Sequence, residues 1–207
     1  MMPPGQIARR LLGNHLEAVG NAYRSLFVDL DRIVEVFERE LPRKAKVLDI
    51  GGGDGALVER LLNRRPDLIV SMCDLAPSIG IFLSAANRAK VELLPATEFA
   101  DVSGSYDAVT ISDVIHHVPV SQREGFFKDL RRSCERWGCR KLILKDVEPG
   151  GIRAVLSLLA DRYITGDRHV VLFSREQFGQ LTKRHFPKAR RKSEVPDWPN
   201  YCEVLSW

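Results

Sequence analysis

The sequence lacks an apolar run of the roughly 18 residues that a membrane-spanning helix needs. Its first stretch, MMPPGQIARRLLGNH, contains arginines but no apolar core, so we expect no secretory signal peptide. The charge imbalance is small, because 31 Lys and Arg face 27 Asp and Glu, for a net charge of +4. This charge permits an anionic ligand without demanding nucleic acid. These features predict a cytoplasmic protein without a membrane span, and they leave the oligomeric state open.

Cysteine spacing of the kind that marks disulfide or metal sites is also missing. The cysteines form no CxxC pair and no ligand-like spacing with histidine; they are Cys73, Cys134, Cys139 and Cys202. We therefore expect free thiols in a reducing compartment and no bound metal. The length of 207 residues is typical of one domain with a sizeable core.

Short apolar strands alternate with helical patterns along most of the chain. The predicted strands are Lys46–Ile50, Leu68–Cys73, Val91–Leu94, Tyr106–Ser112, Lys141–Val147, Ala189–Val195 and Tyr201–Leu205. The predicted helices are two or three segments within Gln6–Leu41, then Ala56–Asn63, Ser78–Ala89, Ser121–Arg136, Ile152–Tyr163 and Ser174–His185. Such alternation predicts an α/β fold with a Rossmann-like, doubly wound, seven-stranded and mainly parallel sheet. The turn PDWPN predicts a closing antiparallel hairpin at one edge.

The stretch VLDIGGGDG, residues 47–55, carries the strongest functional signal. Its glycines lie between a predicted strand and a predicted helix, where ligands dock in open α/β sheets. The pattern is D-x-G-x-G-x-G, formed by Asp49, Gly51, Gly53 and Gly55, rather than the G-x-G-x-x-G of dinucleotide sites. An NAD site is therefore the weaker alternative. Asp49 suits an ammonium group better than a phosphate.

A second acid, Asp74, ends the next predicted strand in MCDLAPS. A carboxylate at this position can accept hydrogen bonds from both hydroxyls of a ribose. The adjacent Leu75 is placed to cover one face of an adenine. Together the two acids suggest a ligand in which adenosine is joined to an amino acid.

Four stretches now resemble the class I S-adenosylmethionine-dependent methyltransferases in order and kind: VLDIGGGDG, CDLAPS, YDAVTISDVIHHVP and LILKDVEPGG. The likeness runs from about Val47 to Pro149 and is greatest to the small-molecule branch of quinone and natural-product biosynthesis. It implies a seven-stranded sheet whose last strand is antiparallel, and S-adenosylmethionine as the cofactor.

The resemblance also implies roles for individual residues. Asp49 and the turn Gly51, Gly52, Gly53 and Gly55 would hold the aminocarboxypropyl part, Asp74 the ribose, and Ser112 and Asp113 the methionine moiety. One departure is LLPATEF, where relatives often have an aspartate beside the adenine amino group. Backbone groups near Ala96, or Thr97 and Glu98, would then contact the adenine.

Three residues are candidates for a general base that activates the methyl acceptor. His117 follows the fourth strand in SDVIHHVP, and His169 lies in the polar stretch DRYITGDRHVVLFS. Asp146 ends the fifth strand, where it either faces the acceptor, makes a positioning hydrogen bond or caps the next loop. Histidines at such sites also serve only to shape a pocket, and that alternative stays open.

The sequence therefore predicts one methyltransferase domain over residues 1–207, with a helical lid at 1–42 and a Rossmann-like core at 43–207. We expect methyl transfer to a small molecule, with oxygen slightly favoured as the acceptor atom. The alternatives are an RNA or protein methyltransferase and a non-catalytic subunit that keeps the fold. A nucleic-acid partner is disfavoured, because SDVI stands where an Asn-Pro-Pro-Tyr type of motif would be needed.

Overall fold

A seven-stranded sheet forms the centre of the computed structural model, with strand order β3-β2-β1-β4-β5-β7-β6. The structure describes residues 29–151, 153–154 and 170–207. The strands are β1 Lys46–Ile50, β2 Ile69–Cys73, β3 Glu92–Leu94, β4 Ala108–Ser112, β5 Lys141–Val147, β6 Arg190–Asp197 and β7 Asn200–Ser206. The first five strands are parallel, which confirms the doubly wound α/β prediction.

The predicted antiparallel hairpin closes the sheet at one edge, and its second strand lies inside its first. Strands β6 and β7 pair antiparallel, with Asp197 opposite Asn200 across the turn. Strand β7 also pairs antiparallel with β5, so it lies between β5 and β6. Strand β6 consequently runs in the same direction as β5, and β7 alone is reversed in the sheet.

Helices cover both faces of the sheet, and each face has its own apolar core. The helices are α1 Leu30–Glu40, α2 Ala56–Arg64, α3 Ala85–Arg88, α4 Arg123–Trp137 and α5 Arg175–His185. The core on one face joins α1 and α2 to the sheet, with Phe37 fully buried. The core on the other face joins α4 and α5, with Trp137 buried at its centre. No helix within the described ranges is long and apolar enough to cross a membrane.

The ends of most elements agree with the sequence prediction to within one or two residues, and the capping box of α5 is present. The Ser174 hydroxyl accepts a hydrogen bond from the Gln177 backbone, and the Gln177 side chain accepts one from the Ser174 backbone. Because both partners lie within four residues, the sequence alone was sufficient to predict this contact.

The predicted helix Ser78–Ala89 is wrong over most of its length. Only Ala85–Arg88 is helical, because the preceding backbone is hydrogen-bonded to the glycine turn instead. Gly80 has a φ of +68° and donates its N–H to the carbonyl of Gly53, and Phe82 donates to the carbonyl of Asp54. These long-range hydrogen bonds replace helical ones and hold the segment before Ala85 against the glycine turn.

Several sequence predictions lie outside the described residues. They are the helical segments before residue 29, most of the predicted helix Ile152–Tyr163, and the general-base candidate His169. The division into a lid and a core also stays a prediction.

Candidate active site

A cleft of about 980 Å³ opens at the carboxyl ends of β1, β2 and β4. Parallel strands that end at one edge bring their following loops together, which is why ligands bind there in this type of sheet. The predicted residues that line the cleft are Asp49, Gly51, Gly52, Gly53, Asp74, Leu75, Thr97, Ser112, Asp113 and His117. Three of the four sequence motifs therefore converge on one cavity, and no residue of LILKDVEPGG lines it.

The turn between β1 and α2 brings bare main chain to the wall of this cleft. Gly51 has a φ of +71°, and a Cβ there would collide with the side chain of Val114. A Cβ on Gly52 would lie 2.7 Å from the Met72 methyl carbon and 2.8 Å from Asp49 Oδ2. Packing against the protein's own side chains thus excludes a Cβ at both positions, and both glycines present main-chain atoms at the cleft wall.

Asp49 is the most deeply buried acid of the cleft wall, with 4% of its surface exposed. Its Oδ1 accepts a 2.6 Å hydrogen bond from the Thr110 hydroxyl. Burial raises the pKa of this carboxyl to about 7, the Thr110 bond opposes the rise, and the nearby Asp74 charge adds to it. No lysine or arginine occurs among the described residues that line the cleft. The chemistry of this carboxylate therefore fits an ammonium group as its counter-charge.

Asp74 links the end of β2 to the glycine turn. Its Oδ2 accepts a 2.9 Å hydrogen bond from the backbone of Gly53, and its Oδ1 accepts one of 2.8 Å from Ala76. Both bonds come from backbone N–H groups, so the carboxylate is held in one orientation at the cleft. The neighbouring Leu75 lines the cleft and is 69% exposed.

The loop after β3 forms the wall where adenine contacts were predicted. Thr97 lines the cleft and donates its backbone N–H to the carbonyl of Asp74 at 2.9 Å. Glu98 and Phe99 also line it, and the Phe99 ring packs against Phe126 with centroids 5.0 Å apart. Ala96 does not line the cleft.

Asp113 follows β4 in an unusual backbone conformation, with a φ of +57°. Its two carboxylate oxygens lie 2.6 and 2.7 Å from the ammonium of Lys145. Burial alone would raise the pKa of Asp113, but the charges of Lys145 and His116 outweigh it and hold the pKa below its usual range. The adjacent Ser112 also lines the cleft, and its hydroxyl has no hydrogen-bond partner within the described ranges.

The two adjacent histidines have different environments. His117 lines the cleft, whereas His116 is 2% exposed and its Nδ1 lies 2.6 Å from Asp146 Oδ1. Asp146 is fully buried and does not line the cleft, so of the predicted alternatives a positioning hydrogen bond fits its geometry. The rings of His116 and His117 are in contact, with centroids 4.3 Å apart.

Sequence reasoning missed several residues of this region, and three of its predicted site residues do not line the cleft: Gly55, Ala96 and Asp146. Lys145 was not predicted, and Leu30 of α1 also lines the cleft. A lysine next to Asp146 in a buried strand was an available signal, since such a charge needs a partner. Gly55 does not line the cleft; it has a φ of +82° and begins α2 as its N-cap.

One group of side chains in the described part of the chain has the spacing of metal ligands. The ligand atoms of Asp113, His116 and Asp146 all lie within 4.8 Å of one another. The Lys145 ammonium, however, already bonds to both oxygens of Asp113.

Comparisons with known proteins agree with this geometry. Residues 48–139 match the family described as "Methyltransferase domain". A 76-residue segment is 33% identical to ribosomal RNA small subunit methyltransferase C of Citrobacter koseri, covering 35% of this chain and 22% of that protein.

Solved structures extend the likeness to nearly the whole fold. An O-methyltransferase family protein from Burkholderia thailandensis superposes with a TM-score of 0.63 at 17% identity, over 90% of this chain and 58% of that one. Human N-acetylserotonin methyltransferase, solved in complex with SAM, superposes with a TM-score of 0.66 at 12% identity, over 96% and 57%. At these identities the superpositions show the fold alone.

Residues 48–139 thus resemble a methyltransferase domain, and the sheet that contains them has the fold of the superposed methyltransferases. The chain spans about three fifths of the length of these two solved proteins and about a fifth of the curated relative.

Proposed function

We propose that this protein transfers the methyl group of S-adenosylmethionine to a small-molecule acceptor, with an oxygen atom as the favoured methyl acceptor. One observation carries the proposal: Asp49, near the end of β1, and Asp74, directly after the neighbouring β2, lie beside the same glycine-rich turn. This arrangement suits a ligand with an ammonium at one end and a ribose further along. The bound cofactor supplies an activated methyl group, so the chain must mainly align the acceptor and exclude water.

The proposed roles follow the walls of the cleft. Asp49 and the glycine turn hold the amino acid end of the cofactor, and Asp74 binds the ribose hydroxyls. Leu75 covers one face of the adenine, and Thr97 lies beside it. Ser112 and Asp113 bound the methionine part.

His117 is the general base that we favour for an oxygen acceptor, because it lies on the cleft wall. His169 remains a second candidate, outside the described residues. Asp146 acts indirectly through His116. Leu30, at the start of α1, lines the cleft, which supports a lid formed by the N-terminal region.

A small molecule is favoured over RNA by the charge of the cleft, although one relative is named as a ribosomal RNA methyltransferase. The lining of the cleft includes six carboxylates and, among the described residues, no lysine or arginine. The acids are Asp49, Asp54, Asp74, Glu98, Asp113 and Asp129. A nucleic-acid backbone would meet like charge there, since phosphate contacts need basic side chains.

Two measurements test the proposal. Calorimetry with S-adenosylmethionine and S-adenosylhomocysteine should give saturable binding at one site. Release of S-adenosylhomocysteine should then rise with members of a panel of phenols and other hydroxylated small molecules, and not with total RNA. Absence of cofactor binding at millimolar concentration would refute the proposal. Binding without transfer to any acceptor would favour the non-catalytic alternative, and RNA-dependent turnover would favour the RNA enzyme.

A further inference from the structure

Lys145 lies near the end of strand β5, and its side chain is only 1% exposed. A buried ammonium is costly unless it is paired and hydrogen-bonded. Its partner is Asp113, whose two oxygens lie 2.6 and 2.7 Å from the Lys145 Nζ. The backbone N–H of Asp113 also donates to the Lys145 carbonyl at 3.0 Å. Lys145 thus holds Asp113 by both side chain and main chain.

Asp113 belongs to a group that would attract a cation of any kind. Its ligand atom lies within 4.8 Å of those of His116 and Asp146, and carboxylate with imidazole is a donor set for divalent metals. In addition, Asp146 is fully buried and its Oδ2 has no hydrogen-bond partner among the described residues. Two carboxylates this close repel each other unless a positive charge lies beside them.

We propose that the Lys145 ammonium is the built-in cation of this site. It pairs with both oxygens of Asp113, and so occupies the carboxylate that a divalent metal ion would need in addition to His116 and Asp146. It thereby fixes Asp113 at the cleft, in its left-handed conformation, without a metal. An ammonium is a compact point charge that offers donors but no coordination site. Lys145 is therefore a positioning residue that acts through Asp113.

The proposal predicts how metals respond to the loss of this charge. Lys145→Met removes the ammonium and keeps most of the side-chain volume. Calorimetric titration with Mn²⁺ and Zn²⁺ should detect no binding to the wild-type site. The variant should bind at least one of these ions with an affinity at least about tenfold above the detection limit of the titration. Adding Asp113→Asn to the variant should abolish the gain.

Lys141→Met is the matched control. Lys141 is the first residue of the same strand, and its ammonium donates to the carbonyl of Glu40 rather than to Asp113. It should gain no metal affinity. Wild-type protein that binds Mn²⁺ or Zn²⁺ and loses the ion on Asp113→Asn would overturn the proposal, since the site would then be a metal centre. Lys145→Met without any gain would equally overturn it. If that variant does not fold by circular dichroism, Lys145→Gln replaces it with the same two readouts.

A rescue experiment connects the site to the cofactor and rests on the proposed contact between Asp113 and the methionine part. Affinity for S-adenosylhomocysteine should fall roughly tenfold in Lys145→Met and recover when Mn²⁺ is added. A structural defect would not be repaired by a metal ion. Loss of affinity that metal leaves unchanged would contradict the positioning role. Failure of the wild type to bind S-adenosylhomocysteine would instead count against the proposed function.

Discussion

Asp146 Oδ1 lies 2.6 Å from His116 Nδ1, and the adjacent His117 instead faces the cleft. Both side chains of this pair are buried, and Asp146 also accepts a 2.8 Å hydrogen bond from the Val147 backbone. The His116 carbonyl in turn accepts the N–H of Val171 at 3.0 Å. This pair therefore joins the end of β5, the loop after β4 and the chain that precedes α5.

The different positions of the two histidines predict different effects of substitution. His116→Gln removes one partner of a buried pair and should lower the free energy of unfolding by about 3 kcal/mol. His117→Ala should change it by less than about 1 kcal/mol, while methyl transfer to an oxygen acceptor falls roughly 100-fold. Chemical denaturation and turnover assays measure the two effects. A His117→Ala enzyme with full activity would exclude His117 as the base.

Alanine substitutions at two glycines, Gly51 in the turn after β1 and Gly125 in α4, should have opposite effects on stability. Gly51→Ala places a Cβ against Val114 in a left-handed conformation and should destabilise the protein by about 2 kcal/mol. Gly125→Ala in α4 meets no atom within 4 Å and should stabilise it by roughly 0.5 kcal/mol through helix propensity. Thermal unfolding of the two variants, compared with wild type, would test the sign of each. Equal effects would contradict the packing seen at Gly51.

The sequence predicted those parts of the fold and cleft that depend on local patterns. Strands β1 and β5 have the predicted ends, because apolar runs between turn signals suffice to define them. The cleft residues Asp49 and Asp74 were likewise visible, since each directly follows or ends an apolar run before a turn. Parallel strands then bring such positions to one edge.

The remaining features depend on contacts between distant parts of the chain. The segment before α3 is not helical because its N–H groups bond to the glycine turn, some 27 residues earlier. Likewise, two consecutive histidines are equivalent in sequence, and the short 3₁₀ turn Ile115–His117 determines which of them faces inward. The burial of Lys145 against Asp113 required the register of β4 and β5.

Asp74 should prove essential for cofactor affinity. Asp74→Asn keeps the size of the side chain but removes the charge and one acceptor for ribose hydroxyls. Hydrogen bonds to a charged group contribute about 1.5–3 kcal/mol, so the Kd for S-adenosylmethionine should rise roughly 10- to 100-fold. Glu176→Gln, an exposed acid on α5, removes the same charge away from the cleft and should have no effect. Unchanged affinity in calorimetry would refute the ribose role.

The raised pKa of Asp49 predicts that cofactor binding depends on pH. Burial raises the pKa of its carboxyl to about 7, so near pH 6 most of the protein without cofactor carries it protonated and unable to pair with an ammonium. The titratable groups beside Asp49 are the Asp74 carboxyl and the Cys73 thiol, and neither supplies a positive charge that would favour the ionised form of Asp49. Affinity for S-adenosylmethionine should therefore rise about tenfold between pH 6 and pH 8 and change little above that.

The same raised pKa has the opposite consequence for stability without cofactor. The folded state binds the proton more tightly than the unfolded chain, so this group stabilises the fold below about pH 4. That contribution is lost as the pH rises through about 7. Asp49→Asn should remove both dependences, leaving affinity and unfolding free energy flatter across this range. Calorimetry and urea unfolding at several pH values measure them, and an unaltered pH profile in the variant would assign the effect to another group.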